Sequence, residues 1–307
     1  MSEPVYQRDV FISEIFAAAK KDNDIIFVSA DFGAPALDKF RKDLPKQFIH
    51  SGISEQHMVD MAAGLALSGK KVYIYAMAPF VTLRCLEQIK CSLALMSLPV
   101  TILAVGVGLG YADAGPTHYL TEDIACMRSI VGMEVASPCD KESTRAIARL
   151  TIAQPALRLV RMERHPLSSI YGRGEFEPAS GFYEVVPGAG VCVMSYGHLL
   201  HRALRVKRNM DGTKFGVIDL FRVKPLSVKL IEVLERYQSI ITVEEQCLSG
   251  GFGSAVLEFM ADNGLRLPVQ RLGLRERYYF ENGGREQLLD QAGVSDRDIK
   301  RAVESVL

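Results

Sequence analysis

The chain has 307 residues, with 36 Lys plus Arg against 36 Asp plus Glu and 48% hydrophobic residues. That length fits two domains, each able to bury a core of its own. A balanced charge excludes the long-range field that holds nucleic acid or an anionic membrane, so any bound anion must be met by a few local side chains.

From the N-terminus, DIIFVSA, KVYIYAM, LPVTILAVG, GMEVASP and PALRLV read as short strands, with helices predicted near 8–20, 54–68, 80–97, 121–130 and 140–153. Such alternation predicts βαβ units around a largely parallel sheet. Between 163 and 190, proline and glycine interrupt the rhythm, as a linker does. It resumes with VCVMSYG, KFGVIDL, SIITVEE and LPVQRLG, each followed by a helical stretch. The expected fold is α/β in two domains, residues 1–170 and 188–307, joined by a linker at 171–187. The six cysteines show no C-x-x-C spacing, which argues against a disulfide framework or a structural zinc site. No apolar run nears the ~18 residues of a membrane span, and MSEPVYQRDVF has no basic stretch leading into an apolar one. A soluble, cytoplasmic chain is expected.

One helix poses a chemical question. In SGISEQHMVDMAAGLALSGK, Ser54 is placed to cap a helix whose apolar positions are Met58, Met61, Ala62 and Leu65, and Glu55 falls in its first turn. Taken alone, Glu55 reads as an ordinary helix-start acid favoured by the dipole. The small run Ala62-Ala63-Gly64 lets another helix approach closely, as at a subunit contact.

The blocks GISEQHM…AAGLA, APFVTLRCLEQ and GPTHYLTED, in that order, are similar to the pyrimidine-binding domain of thiamine-diphosphate enzymes, in the transketolase and deoxyxylulose-phosphate synthase group. VIDLFRVKPL and ITVEEQCLSGGFGS extend the resemblance over nearly the whole chain. The resemblance implies that Glu55 bonds a ring nitrogen of the cofactor's aminopyrimidine and shares a proton there. It implies that Phe80 stacks on that ring, that Ile53 packs beside it and that Asp31, in SADFG, lies near the cofactor. His118 of GPTHY matches the histidine that contacts substrate oxygens, and an unperturbed imidazole suits that proton transfer. His57 is a weaker candidate for support of Glu55. Arg8 and Arg164 fall where the family binds a sugar phosphate, and a guanidinium fork suits any oxyanion. Arg84 resembles the synthases and is counted as substrate-binding.

The chain also departs from the family. Transketolases carry an acid directly before the glycine of GPTH; here that residue is Ala114, and the nearest acid is Asp113, one place earlier. Losing the acceptor for a buried substrate hydroxyl can discriminate by roughly 10⁴. Pro35 and Gly106 replace the serine and histidine that complete the phosphate clamp, so a carboxylate, a sulfonate or an unphosphorylated sugar also fits. There is no GDG followed by an asparagine to hold a diphosphate through a metal, and no metal ligands are assigned to this chain. LSGGFGS lacks the Lys and Ser/Thr of a P-loop and reads as a structural turn.

The resemblance therefore implies the C-terminal subunit of a split transketolase. An N-terminal partner would hold the diphosphate and Mg²⁺, or a similar divalent ion, in an α2β2 assembly. Other readings stay open: a pyruvate-decarboxylating synthase subunit, a 2-oxoacid dehydrogenase beta subunit, and a catalytically silent scaffold.

Overall fold

The computed structural model describes residues 3–30, 33–210 and 212–306. They form two compact units: residues 1–107 with 126–178, and residues 108–125 with 179–307.

In the first unit, β1 (Ile25–Ala30), β2 (Phe48–Gly52), β3 (Lys71–Met77), β4 (Val100–Val105), β5 (Glu134–Ala136) and β6 (Arg158–Met162) lie in the order β5-β6-β4-β3-β1-β2, all parallel. Every residue of β1 and of β4 is buried, which is why both read as unbroken apolar runs rather than alternating ones. Crossover helices cover the faces: α1 (Gln7–Ala19), α2 (Pro35–Asp43), α3 (Glu55–Leu67) and α7 (Lys141–Ala153), while α6 (Asp123–Ser129) begins in the second unit and ends in the first. Between β3 and β4 the predicted single helix is broken. It runs as α4 (Ala78–Val81), a 3₁₀ turn over Leu83–Cys85, α5 (Leu86–Gln88) and a π-helical segment over Ile89–Ala94.

A cluster of rings fills one side of the core. Phe27 lies 5.2 Å from Phe40 and 6.1 Å from Tyr75, all fully buried, while Phe16 meets Phe40 edge-on at 5.3 Å. Each such side chain contributes about 1.5–3 kcal/mol through burial. The chain order decides where a site forms: it passes from β1 to β2 on one side, then crosses to β3 on the other. The carboxyl ends of β1, β2 and β3 thus flank a topological switch point, where open α/β sheets leave a crevice.

The second unit contains β7 (Tyr183–Val186), β8 (Gly190–Ser195), β9 (Gly216–Asp219), the short β10 (Arg222–Lys224), β11 (Tyr237–Cys247) and β12 (Val269–Leu274). Its sheet runs β12-β11-β8-β9-β7, parallel except for β7 against β9. The helices are α8 (Gly197–Arg208), α9 (Leu230–Leu234), α10 (Phe252–Asp262), α11 (Gly284–Ala292) and α12 (Asp296–Glu304). No helix among the described residues is long and apolar enough to cross a membrane.

Two expected loops are pinned. Part of the Gly/Pro-rich stretch belongs to the first unit: Ile170 and Tyr171 donate N–H to the buried Asp140 carboxylate at 2.8 and 2.9 Å. LSGGFGS leads into α10, whose first N–H groups, Phe252 and Gly253, donate to Glu244 at 2.6 and 2.8 Å. An incoming phosphate would meet a carboxylate there, which fits a structural turn.

Candidate functional site

Glu55 is the first residue of α3, three places beyond the end of β2, and Phe80 stands in α4, three places beyond the end of β3. Both therefore hang at the carboxyl edge beside the switch point. Ser54 precedes the helix with extended φ, but its hydroxyl turns back to Ser51 O at 2.5 Å instead of capping a helical N–H. Met58, Val59, Ala62 and Ala63 are buried along the same face of α3 as Glu55 and fix its axis.

The Glu55 carboxyl is 8% exposed, and Arg84 Nη1 donates to its Oε2 at 2.9 Å. Arg84 also lays its guanidinium over Phe80, 4.0 Å from the ring centroid. Gln56 Nε2 bonds the Arg84 carbonyl at 3.3 Å, which ties the start of α3 to the broken helix. The break gives this arrangement its geometry: the turn between Val81 and Leu86 carries Arg84 back over Phe80, four residues earlier. Below them, Cys85 donates its thiol to Phe80 O at 3.2 Å. Burial, and then the nearby Glu55 charge, push that thiol up to about 12, against the opposing pull of Arg84.

The other expected residues fall in separate places. Ile53, just before the acid, is 79% exposed and so forms an open apolar wall. His57 is an exposed residue of α3, and Asp31 lies outside the described residues. Arg8 and Arg164 stand on adjoining segments: Glu163 N donates to Gln7 Oε1 at 2.8 Å, and Val5 pairs with Leu167. Arg8 stacks on Tyr6 at 5.0 Å and lies 3.7 Å from Asp9, while the Arg164 N–H donates to Glu163 Oε1 at 2.7 Å.

His118 and Asp113 share a loop of the second unit. Its tip folds on itself: Ala114 N donates to Tyr111 O at 2.8 Å, and His118 N to Gly115 O at 2.9 Å. Gly115 has φ +82°, a conformation that a residue with a Cβ adopts only under strain. Thr117 Oγ1 lies 2.9 Å from His118 Nδ1 and Tyr111 packs 6.4 Å from its ring, so two neighbours in the same loop orient the imidazole.

Residues 4–168 match the pyrimidine-binding domain of transketolase, and residues 183–299 match the transketolase C-terminal domain. The chain belongs to the transketolase family. It is 33% identical over 305 residues to a subunit of the apulose-4-phosphate transketolase of Phocaeicola vulgatus, covering 97% of each chain. It is 31% identical to a putative transketolase C-terminal section of Methanocaldococcus jannaschii, covering 94% of this chain and 92% of that one. The 1-deoxy-D-xylulose-5-phosphate synthase of Aquifex aeolicus is 30% identical, and the chain spans about half of it, 49%. Among solved structures, a split gene transketolase described as an inactive beta4 tetramer superposes with a TM-score of 0.85 at 27% identity, over 99% of each chain. The chain is thus homologous to transketolase beta-type subunits, in a family of thiamine-diphosphate enzymes.

The residues present fit the pyrimidine half of that coenzyme. A planar cation already lies 4.0 Å from the Phe80 ring centroid and is bonded to Glu55, a pairing of ring and acid that suits a flat heterocycle offering a nitrogen to the acid. Among the described residues, no three or more His, Cys, Asp or Glu side chains are grouped to hold a metal ion. The residues that sequence reasoning missed are Gln246 and Glu245, which hold the His118 loop. Their only signal was membership of the ITVEEQCLSGGFGS block.

Proposed function

We propose that this chain is the C-terminal, beta-type subunit of a transketolase, active only with a partner, that moves a two-carbon ketol unit from an anionic ketose to an aldehyde. The observation that carries the reading is the buried Glu55 carboxyl beside the ring of Phe80 at the switch point. When bound, the coenzyme supplies the acidic carbon that bonds to the donor carbonyl and carries the two-carbon unit.

This chain's own residues do the rest. Glu55 holds a proton at its carboxyl oxygen toward a pyrimidine nitrogen, Phe80 supports the ring face, and Ile53 and Asp31 border it. His118 moves a proton to and from a substrate oxygen. Arg8 and Arg164 take the substrate's anionic group, with Arg84 and Asp113 as further substrate contacts. The diphosphate and its Mg²⁺ are assigned to an N-terminal partner subunit in an α2β2 assembly. The exposed Ile53 beside a buried acid supports a pocket that another chain completes. Residues 1–170 would then serve as the pyrimidine-binding domain, 171–187 as the linker and 188–307 as the C-terminal domain, in a cytoplasmic enzyme.

The test is Glu55→Gln in the co-expressed pair. Positioned acid–base groups contribute roughly 10²–10⁴-fold, so ketose turnover should fall at least a hundredfold while the assembly keeps its size. Unchanged turnover would identify a silent scaffold. The synthase relatives favour one competing donor: turnover of pyruvate with release of carbon dioxide, and of no ketose, would move the chain to that branch.

A further inference from the structure

In the second unit the chain runs from β8 to β9 on one side and places β11 on the other, so the switch point lies between β8 and β11. Open α/β sheets take ligands in the crevice at that edge. Here the chain's own groups fill it. Glu245, near the end of β11, is 2% exposed and is gripped by Arg285 through bonds of 2.8 and 2.5 Å; His198 Nε2 lies 3.5 Å from the same carboxylate. Gly108 rests directly on Glu245. A Cβ at that position would lie 2.0 Å from Oε2, and φ is +60°. Glycine is required there on both counts.

The next residue, Gln246, is fully buried and uses both ends of its amide. Nε2 donates to Leu120 O at 2.9 Å, and Oε1 accepts from Ile124 N at 3.2 Å. Cys247 N adds a bond to Thr121 O at 2.8 Å, and Gly108 and Leu120 exchange two backbone bonds of 2.9 and 2.8 Å that close the loop's neck. These contacts converge on 108, 120, 121 and 124, while Asp113, Ala114 and Thr117 at the tip are less buried than the neck. His118 stands two residues from the neck, so its place within the unit is inherited from it.

We propose that Gln246 is a positioning residue for His118, setting the loop that presents the imidazole; this rests on the proton-transfer role given to His118 above. A shift of about 1 Å in a reacting group can cost about a hundredfold, so a slack neck should be visible in turnover.

The test uses Gln246→Leu, which removes every bond of the amide, and Gln246→Glu, which keeps the acceptor for Ile124 N and donates to Leu120 O only when protonated. Val303→Ala, which opens a cavity at a buried position of α12, controls for general loss of stability. In the full chain, amide exchange over 109–121 should quicken at least tenfold in Gln246→Leu, less in Gln246→Glu and not in Val303→Ala. The His118 ring signal should shift and broaden in the same order. In the paired enzyme, kcat/KM should fall about tenfold or more, and Gln246→Leu with His118→Ala should be no slower than His118→Ala alone. Unchanged loop exchange, or losses that multiply in the double variant, would overturn the proposal. If the wild-type pair turns over no ketose, the function above fails, and exchange with the His118 signal still decides the positioning.

Discussion

On the proposed function, two partners compete for the Glu55 carboxyl. In the free chain Arg84 takes the acid and covers Phe80, the two groups that a pyrimidine would need. The arginine side chain is 43% exposed, so the ion pair is worth about 1 kcal/mol or less after screening. A coenzyme can displace it at small cost. A double-mutant cycle with Arg84→Ala and Glu55→Gln should therefore give a coupling of about 1 kcal/mol in thermal unfolding of the isolated chain, and none once the paired enzyme is saturated with coenzyme. Equal coupling in both states would mean that Arg84 stays on the acid. Cys85, beneath the pair, gives a pH test. Its folded value near 12 lies above the ordinary 9.0, so the thiol stays protonated where an unfolded thiol ionises. Stability from this group is complete below about 9 and is lost as pH rises toward 12. Alkylation at pH 8 should label the exposed Cys91 and spare Cys85, with Cys85 labelling gained only on unfolding.

At the scale of elements, α7 shows how one buried acid joins two segments. Asp140 caps the helix by accepting from Ser143 N at 2.8 Å, and its other oxygen takes the N–H groups of Ile170 and Tyr171. Asp140→Ala orphans these donors at once. Unfolding free energy should drop by about 3 kcal/mol, read as a lower urea midpoint at constant slope, and Asp140→Asn, which keeps one acceptor oxygen, should lose less. Such long-range bonds explain what was legible in the sequence and what was not. The buried parallel strands announced themselves as apolar runs, and α1, α3 and α7 by their spacing. Glu55 and Phe80, which share Arg84 in the fold, were marked in the sequence by the blocks around them. The break after Val81, which folds Arg84 onto Phe80, has no local mark, because it depends on where α3 packs. β2 was hidden because FIHSG is only half-buried and polar at its centre. The bond from Gln246 to Leu120 spans 126 residues, beyond the reach of any periodicity.

At the scale of the molecule, the proposed function gives the first unit one half of a coenzyme pocket, to be completed by another chain. Ile53 stands in solvent, Phe80 lies under the Arg84 guanidinium, and the N–H groups at the start of α10 in the second unit, which could hold an anion, already belong to Glu244. The charged tail of thiamine diphosphate supplies much of its affinity through metal and phosphate contacts, which need hard oxygen ligands. A chain that contacts only the pyrimidine gains a stacking interaction and one acid, each worth on the order of 1 kcal/mol or slightly more, far short of the ~8 kcal/mol of micromolar binding. Calorimetry on the isolated chain with Mg²⁺ should therefore find thiamine diphosphate no tighter than millimolar. Addition of the N-terminal partner should tighten it by at least a thousandfold and raise the melting temperature of this chain as the coenzyme saturates. Sub-micromolar binding by the chain alone would mean that it carries a whole coenzyme site, and the assignment of the diphosphate and metal to a second polypeptide would have to be withdrawn.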